Sequence, residues 1–202
     1  MVVESPHTEE VDTGIALSGE SGKVVSRTLI HRGTPIGPLC QDGSVHLSVV
    51  NTFSQPIKFD VSGKRRPDLL RSLNDLDSRP FNGPDAYKNE IKEMLDVNPD
   101  RELTDNYKQR LREALGAAER KRLVVCGLIA QAVFEWAFEI ARTRFAKPFS
   151  CKIDSGFVDV FYIQHPSRKS GNKDSAWEEK RNSHAVSELK EFIGPITLHR
   201  HR

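Results

Sequence analysis

Seven histidines and three cysteines are the residues best suited to chemistry in this 202-residue chain. A thiol beside an imidazole can act as a nucleophile, because the histidine takes the proton that sulfur must lose. Cys126 or Cys151 with His165 or His184 are the combinations that folding can bring together. The plainer reading is buried structural thiols and surface imidazoles. No cysteine stands in a C-x-x-C pair, and an odd number of cysteines implies no disulfide framework. His199 and His201 share a face of an extended tail, without an acidic or sulfur ligand near in sequence. No metal and no cofactor is therefore expected. Ser18-Gly19-Glu20-Ser21-Gly22-Lys23-Val24 loosely follows a phosphate-binding loop, but Leu17 replaces its first glycine and Val24 its hydroxyl residue. It reads as a flexible lead-in. Zinc-hydrolase, nucleophile-elbow and paired-carboxylate motifs are absent. The sequence assigns no catalytic residue.

Charge is the remaining functional signal. Residues 1–100 carry 11 basic and 15 acidic side chains, whereas residues 101–202 carry 19 and 13. The second half is thus the part that would meet a polyanion. The candidates for that contact are Lys64, Arg65, Arg66, Lys108, Arg110, Arg112, Arg120, Lys121, Arg122, Arg168, Lys169, Arg200 and Arg202. Acids interleave with them at Glu102, Asp105, Glu113 and Glu119, a pattern that also describes a solvated helix face.

The elements that must position these residues are organised around Leu123 to Ala141, the longest apolar run of the chain. Its polar residues Gln131, Glu135, Glu139 and Arg142 fall on one helical stripe, which predicts a buried central helix over 123–141. Glu135 and Glu139 lie too deep in the run for a membrane span, since each charge near mid-bilayer costs roughly 2.5–3.5 kcal/mol. Contacts to Arg142 and a basic neighbour account for the two glutamates. Apolar alternation predicts strands near 24–31, 44–50 and 56–62, and a hairpin of strands 149–153 and 157–163 about Asp154-Ser155-Gly156. Helical spacing follows Pro67, Pro84 and Thr104, and Ser175-x-x-Glu178 reads as the capping box of a last helix. Residues 1–22 are acidic and polar and read as disordered. The expected fold is α+β: an antiparallel sheet on a helical layer, one domain over residues 23–198, and a basic tail at 199–202.

The function expected from these features is a non-enzymatic assembly or interaction protein with a moderately basic face. Its partners would be another protein and nucleic acid, a ribonucleoprotein or an anionic membrane, with self-association as a further expectation. The layout is similar to that of small matrix proteins of negative-strand RNA viruses, although no motif carries that likeness. Unpaired cysteines and the lack of a basic, apolar leader predict an intracellular location, peripheral to membrane where lipid is the partner. The alternative is a small enzyme whose cysteine–histidine site forms only in the fold.

Overall fold

Val2–Val3 near the start of the chain form β1, and both side chains are buried, at 0% and 1% exposure. Successive strand residues point to opposite faces, so a strand buried at every position must lie inside a sheet covered on both sides. The computed structural model has that architecture and describes residues 1–4, 6–58, 61, 67–77, 79–97, 101–117, 121–141, 145–167, 175–196 and 198. β2 is Val50–Asn51, β3 Arg122–Cys126, β4 Phe149–Ile153 and β5 Gly156–Ile163, in the order β2-β1-β3-β5-β4. β1 runs parallel to β2 and to β3, and β3 runs parallel to β5. β4 alone is antiparallel, against β5.

Each face of the sheet has its own core. Val2, Leu123, Val125, Val160 and Tyr162 face one layer of helices: α4 (Asp68–Asp77), α5 (Pro84–Val97), α6 (Arg101–Gly116) and α7 (Leu128–Ala137). Val3, Val124, Cys126, Phe161 and Ile163 face the other: α2 (Glu20–Ile30), α3 (Ile36–Gln41) and α8 (Ser183–Ile193), with Trp177. A short helix α1, Thr8–Thr13, lies between β1 and α2. Among the described residues, no helix is long and apolar enough to cross a membrane.

The mixture of helix and sheet is as expected, and so is the hairpin, with strands at 149–153 and 156–163. Several expected elements are corrected. The 123–141 run is not one helix: β3 supplies its first part and α7 its second. Gly127, at φ +92°, makes the break. Apolar residues on every side of this run satisfy a strand buried on both faces as well as a buried helix, so periodicity cannot separate the two. The expected strand at 24–31 is α2, because Gly22, Val25, Ser26 and Ile30 recur at helical spacing and are buried. Its β-branched residues are overruled by packing. The region 44–50 holds only an isolated bridge from Val45 to Leu198 and the start of β2. At 56–62 Ile57 and Lys58 form a bend; residues 59, 60 and 62 lie outside the described residues. The sheet is mostly parallel, not antiparallel. The acidic segment expected to be disordered contributes β1, α1 and the start of α2. The last helix begins at Ser183, after the turn that Ser175 and Glu178 close.

Arg142, the partner expected for Glu135, lies outside the described residues. Both Glu135 oxygens reach across to α5, to Lys88 and Lys92 at 2.5 Å each. Glu135 and Lys88 are buried, and the Lys88 ammonium also lies 5.7 Å from the Tyr162 ring. Removing one member of such a cluster leaves a buried charge without a partner. Glu135→Ala is therefore expected to cost about 3–5 kcal/mol in urea unfolding. Glu135→Leu combined with Lys88→Met should recover most of that loss, since Lys92 can swing into solvent.

Candidate active site

The four parallel strands end on one side of the sheet, and three of them deliver polar groups there. This is where a crevice forms in open α/β sheets, because helices leave the strand ends uncovered. β1 delivers Glu4, then Pro6 and His7. β3 delivers Gly127, and β5 delivers Gln164, His165, Pro166 and Ser167.

Backbone hydrogen bonds hold these ends in place. The Thr52 and Phe53 amides donate to the carbonyls of Val3 and Glu4, at 2.7 and 3.1 Å. The Gly127 amide donates to the Ile163 carbonyl at 2.9 Å, and the Gln131 side-chain amide donates to the same oxygen at 3.1 Å. The Trp177 indole N–H donates to the Gln164 carbonyl at 2.7 Å. Glu10, buried in α1, accepts the His7 amide at 2.7 Å and also the Leu17 amide. Burial raises the Glu10 carboxyl above its usual range, against the pull of those two amides.

The Glu4 carboxyl lies against Gly127, so closely that a Cβ there would strike its Oε1. Glycine at 127 thus serves twice, for the positive φ and for the close approach. Glu4 accepts the Ile129 amide at the N-terminus of α7. That contact favours the carboxylate, and so does Lys58, but burial and the neighbouring Asp77 outweigh them. The Glu4 carboxyl is pushed up to about 7. His165 moves the opposite way. Burial, with His7 and Lys58 adding to it, holds its imidazolium down at about 3. The ring is neutral at physiological pH. Its Nδ1 accepts the Ser167 amide at 3.1 Å and lies 2.8 Å from the Ser167 hydroxyl, so its proton sits on Nε2. The His7 and His165 rings lie with centroids 6.2 Å apart, tilted by 54°.

Glu4, His7, Lys58, Asp77 and Ser167 line a cavity of about 50 Å³, walled by Pro6, Ile57 and Ile129. That is room for one or two water molecules. Through His7 and Ser167 it adjoins a wider cleft of about 280 Å³ beside Gly19, Glu20 and Pro166. The segment that loosely follows a phosphate-binding loop thus forms the N-terminus of α2 at the edge of this cleft.

The residues proposed from charge lie elsewhere. Arg110 donates to the carbonyls of Asn51 and Thr52, at 2.6 and 3.2 Å, and so braces the strand next to Glu4. Arg112 makes two bonds to Asp154, at 2.8 and 2.9 Å. Arg122 donates to the Ile193 carbonyl and lies 5.9 Å from the Phe192 ring. Lys108 lies 5.6 Å from the Trp136 ring. The Lys121 ammonium sits beside Gly156. Lys121 and Arg122 are at the opposite end of β3 from Gly127, roughly 16 Å away at strand rise. Lys64, Arg65, Arg66, Arg120, Arg168, Lys169, Arg200 and Arg202 lie outside the described residues, as do His199 and His201.

The thiol–imidazole alternative loses its thiolate. Burial raises Cys40 and Cys151 to about 11 and Cys126 to about 12. His184 is exposed, 3.9 Å from Glu188. No group of three or more potential metal ligands converges among the described residues. Compared with family models, curated proteins and solved structures, the chain matches none of them.

Sequence reasoning missed Glu4, His7, Lys58, Asp77 and Gly127, and placed His165 in another role. The signal lay in position: Glu4 and His7 come just after a wholly apolar pair, and His165 and Ser167 come just after a strand. A carboxyl raised by desolvation above its usual 4.5, as in half-buried Glu4, disfavours the folded state once it must ionise. The penalty is absent below pH 4.5, grows through pH 7 and is complete above it. Glu4→Gln is expected to stabilise the protein by about 1–3 kcal/mol at pH 8.5 and to leave it unchanged near pH 4, as read by urea unfolding.

Proposed function

We propose that the chain is a hydrolase in which Glu4 takes a proton from water and His165 stabilises the departing group. A carboxylate with its midpoint near neutrality is matched to general-base work at physiological pH. A neutral imidazole with its proton on Nε2 donates a hydrogen bond to developing negative charge without giving the proton up. The hydroxide equivalent formed at Glu4 adds to the substrate, the scissile bond breaks, and its electron pair goes to an oxygen or nitrogen hydrogen-bonded by His165; that atom then takes up the proton Glu4 removed from water, which restores the carboxylate. The observation that carries this reading is the opposed displacement of two titrating groups at one end of the sheet: Glu4, which lines the small cavity, upward, and His165, whose hydrogen-bond partner Ser167 lines it, downward.

This reading takes the place of a purely non-enzymatic role. A basic contact face gains little support from Lys108, Arg110, Arg112 and Arg122, which are engaged within the chain. One observation still favours a polyanionic partner: Arg168 and Lys169 come immediately after Ser167 in the sequence. Such a substrate would be turned over at a rate that falls steeply with salt.

The test is hydrolysis of pooled glycosides, nucleosides, amides and esters by the purified chain. The expected result is turnover of at least one pool, with a rate that rises through pH 7 and falls roughly 10²–10⁴-fold in Glu4→Gln. No turnover in any pool, or equal turnover by the variant, would contradict the reading.

A further inference from the structure

The cavity beside Glu4 is lined by a second carboxylate, Asp77, and by the Lys58 ammonium. Asp77, in the last turn of α4, lies 3.1 Å from that ammonium. The Tyr87 hydroxyl of α5 hydrogen-bonds Asp77. Phe81 in turn packs on Tyr87, with ring centroids 6.0 Å apart. Asp77 therefore engages both a hydroxyl and an ammonium, although it is half exposed.

We propose that Asp77 is a positioning residue for Glu4: it engages the Lys58 ammonium, and so governs the pH at which Glu4 becomes a base. This rests on the hydrolase reading and adds a residue to it. If Lys58 faced Glu4 alone, its charge would favour the carboxylate. With Asp77 paired to it, the cation is largely neutralised and a second negative charge stands near Glu4. Both effects keep the Glu4 proton on. The other groups facing Glu4 are fixed in this comparison: His7 from the entry to α1, the Ile129 amide of α7, Cys126 of β3 and Tyr87 bonded to Asp77. Lys58 and Asp77 have side-chain exposures of 64% and 47%, so salt screens their influence.

The two members of the pair make opposite predictions, which a merely structural role would not. The full chain, labelled at glutamate side-chain carbons, is titrated by NMR at low and at high salt. Asp77→Asn should lower the Glu4 midpoint by about one unit, and Lys58→Met should raise it by about one unit. Both shifts should shrink at high salt. Shifts of the same sign, or no measurable shift in either variant, would overturn the role of Asp77. The wild-type chain tests the underlying reading separately: a Glu4 midpoint at the ordinary carboxyl value would remove Glu4 as a neutral-pH base, whatever the variants do.

Discussion

The structure depends on a slot in the sheet being filled by the first strand. Val2 and Val3 lie between β2 and β3, one side chain in each core, and join β2 to the rest of the sheet. Burying two valines contributes roughly 3–6 kcal/mol gross. The strand also fixes register. Once Val2 is opposite Val125, Glu4 has nowhere to go but the strand end beside Gly127. Packing at the centre of the molecule thereby decides where a carboxyl group sits at its edge.

The charge on that carboxyl is set by a contest between solvation and nearby polar groups. The amide at the start of α7 and the Lys58 ammonium both favour an ionised Glu4. They are outweighed because the carboxyl is enclosed and Asp77 is near. His165 is held neutral by the same enclosure, with its proton directed to Nε2 by the Ser167 amide. One desolvated crevice thus delays the ionisation of a carboxyl to near neutrality and keeps an imidazole deprotonated, each against its habit in water. The chemistry proposed for the site needs both departures and the small cavity beside them.

Some of this was legible in the residues. The hairpin of β4 and β5 was, because Asp154-Ser155-Gly156 sits between two alternating runs. The helical faces of Leu69, Leu73 and Leu76 and of Tyr107, Leu111 and Leu115 were too, since helical spacing over several turns has one reading. The run from Leu123 had two, and its glycine at 127 was the deciding residue. β1 could not be read from a pair of valines, because a two-residue strand has no period and becomes a strand only when its neighbours are in place. The site was hidden for the same reason. Glu4 with His7, Asp77, and His165 come from three distant parts of the sequence, and only the fold brings their carriers to one side. The basic clusters were conspicuous by count, yet Arg110, Arg112 and Arg122 are spent on internal bonds that composition does not reveal.

Amide hydrogen exchange tests most directly whether the molecule is built on β1. The amides of Val50 and Thr52 donate to the carbonyls of Met1 and Val3, so they report on that strand alone. They are predicted to exchange as slowly as the amides of β3 and β5, in the slowest class of the protein. Exchange of Val50 and Thr52 at the rate of an unprotected chain, while β3 and β5 remain protected, would contradict the account and detach Glu4 from the crevice.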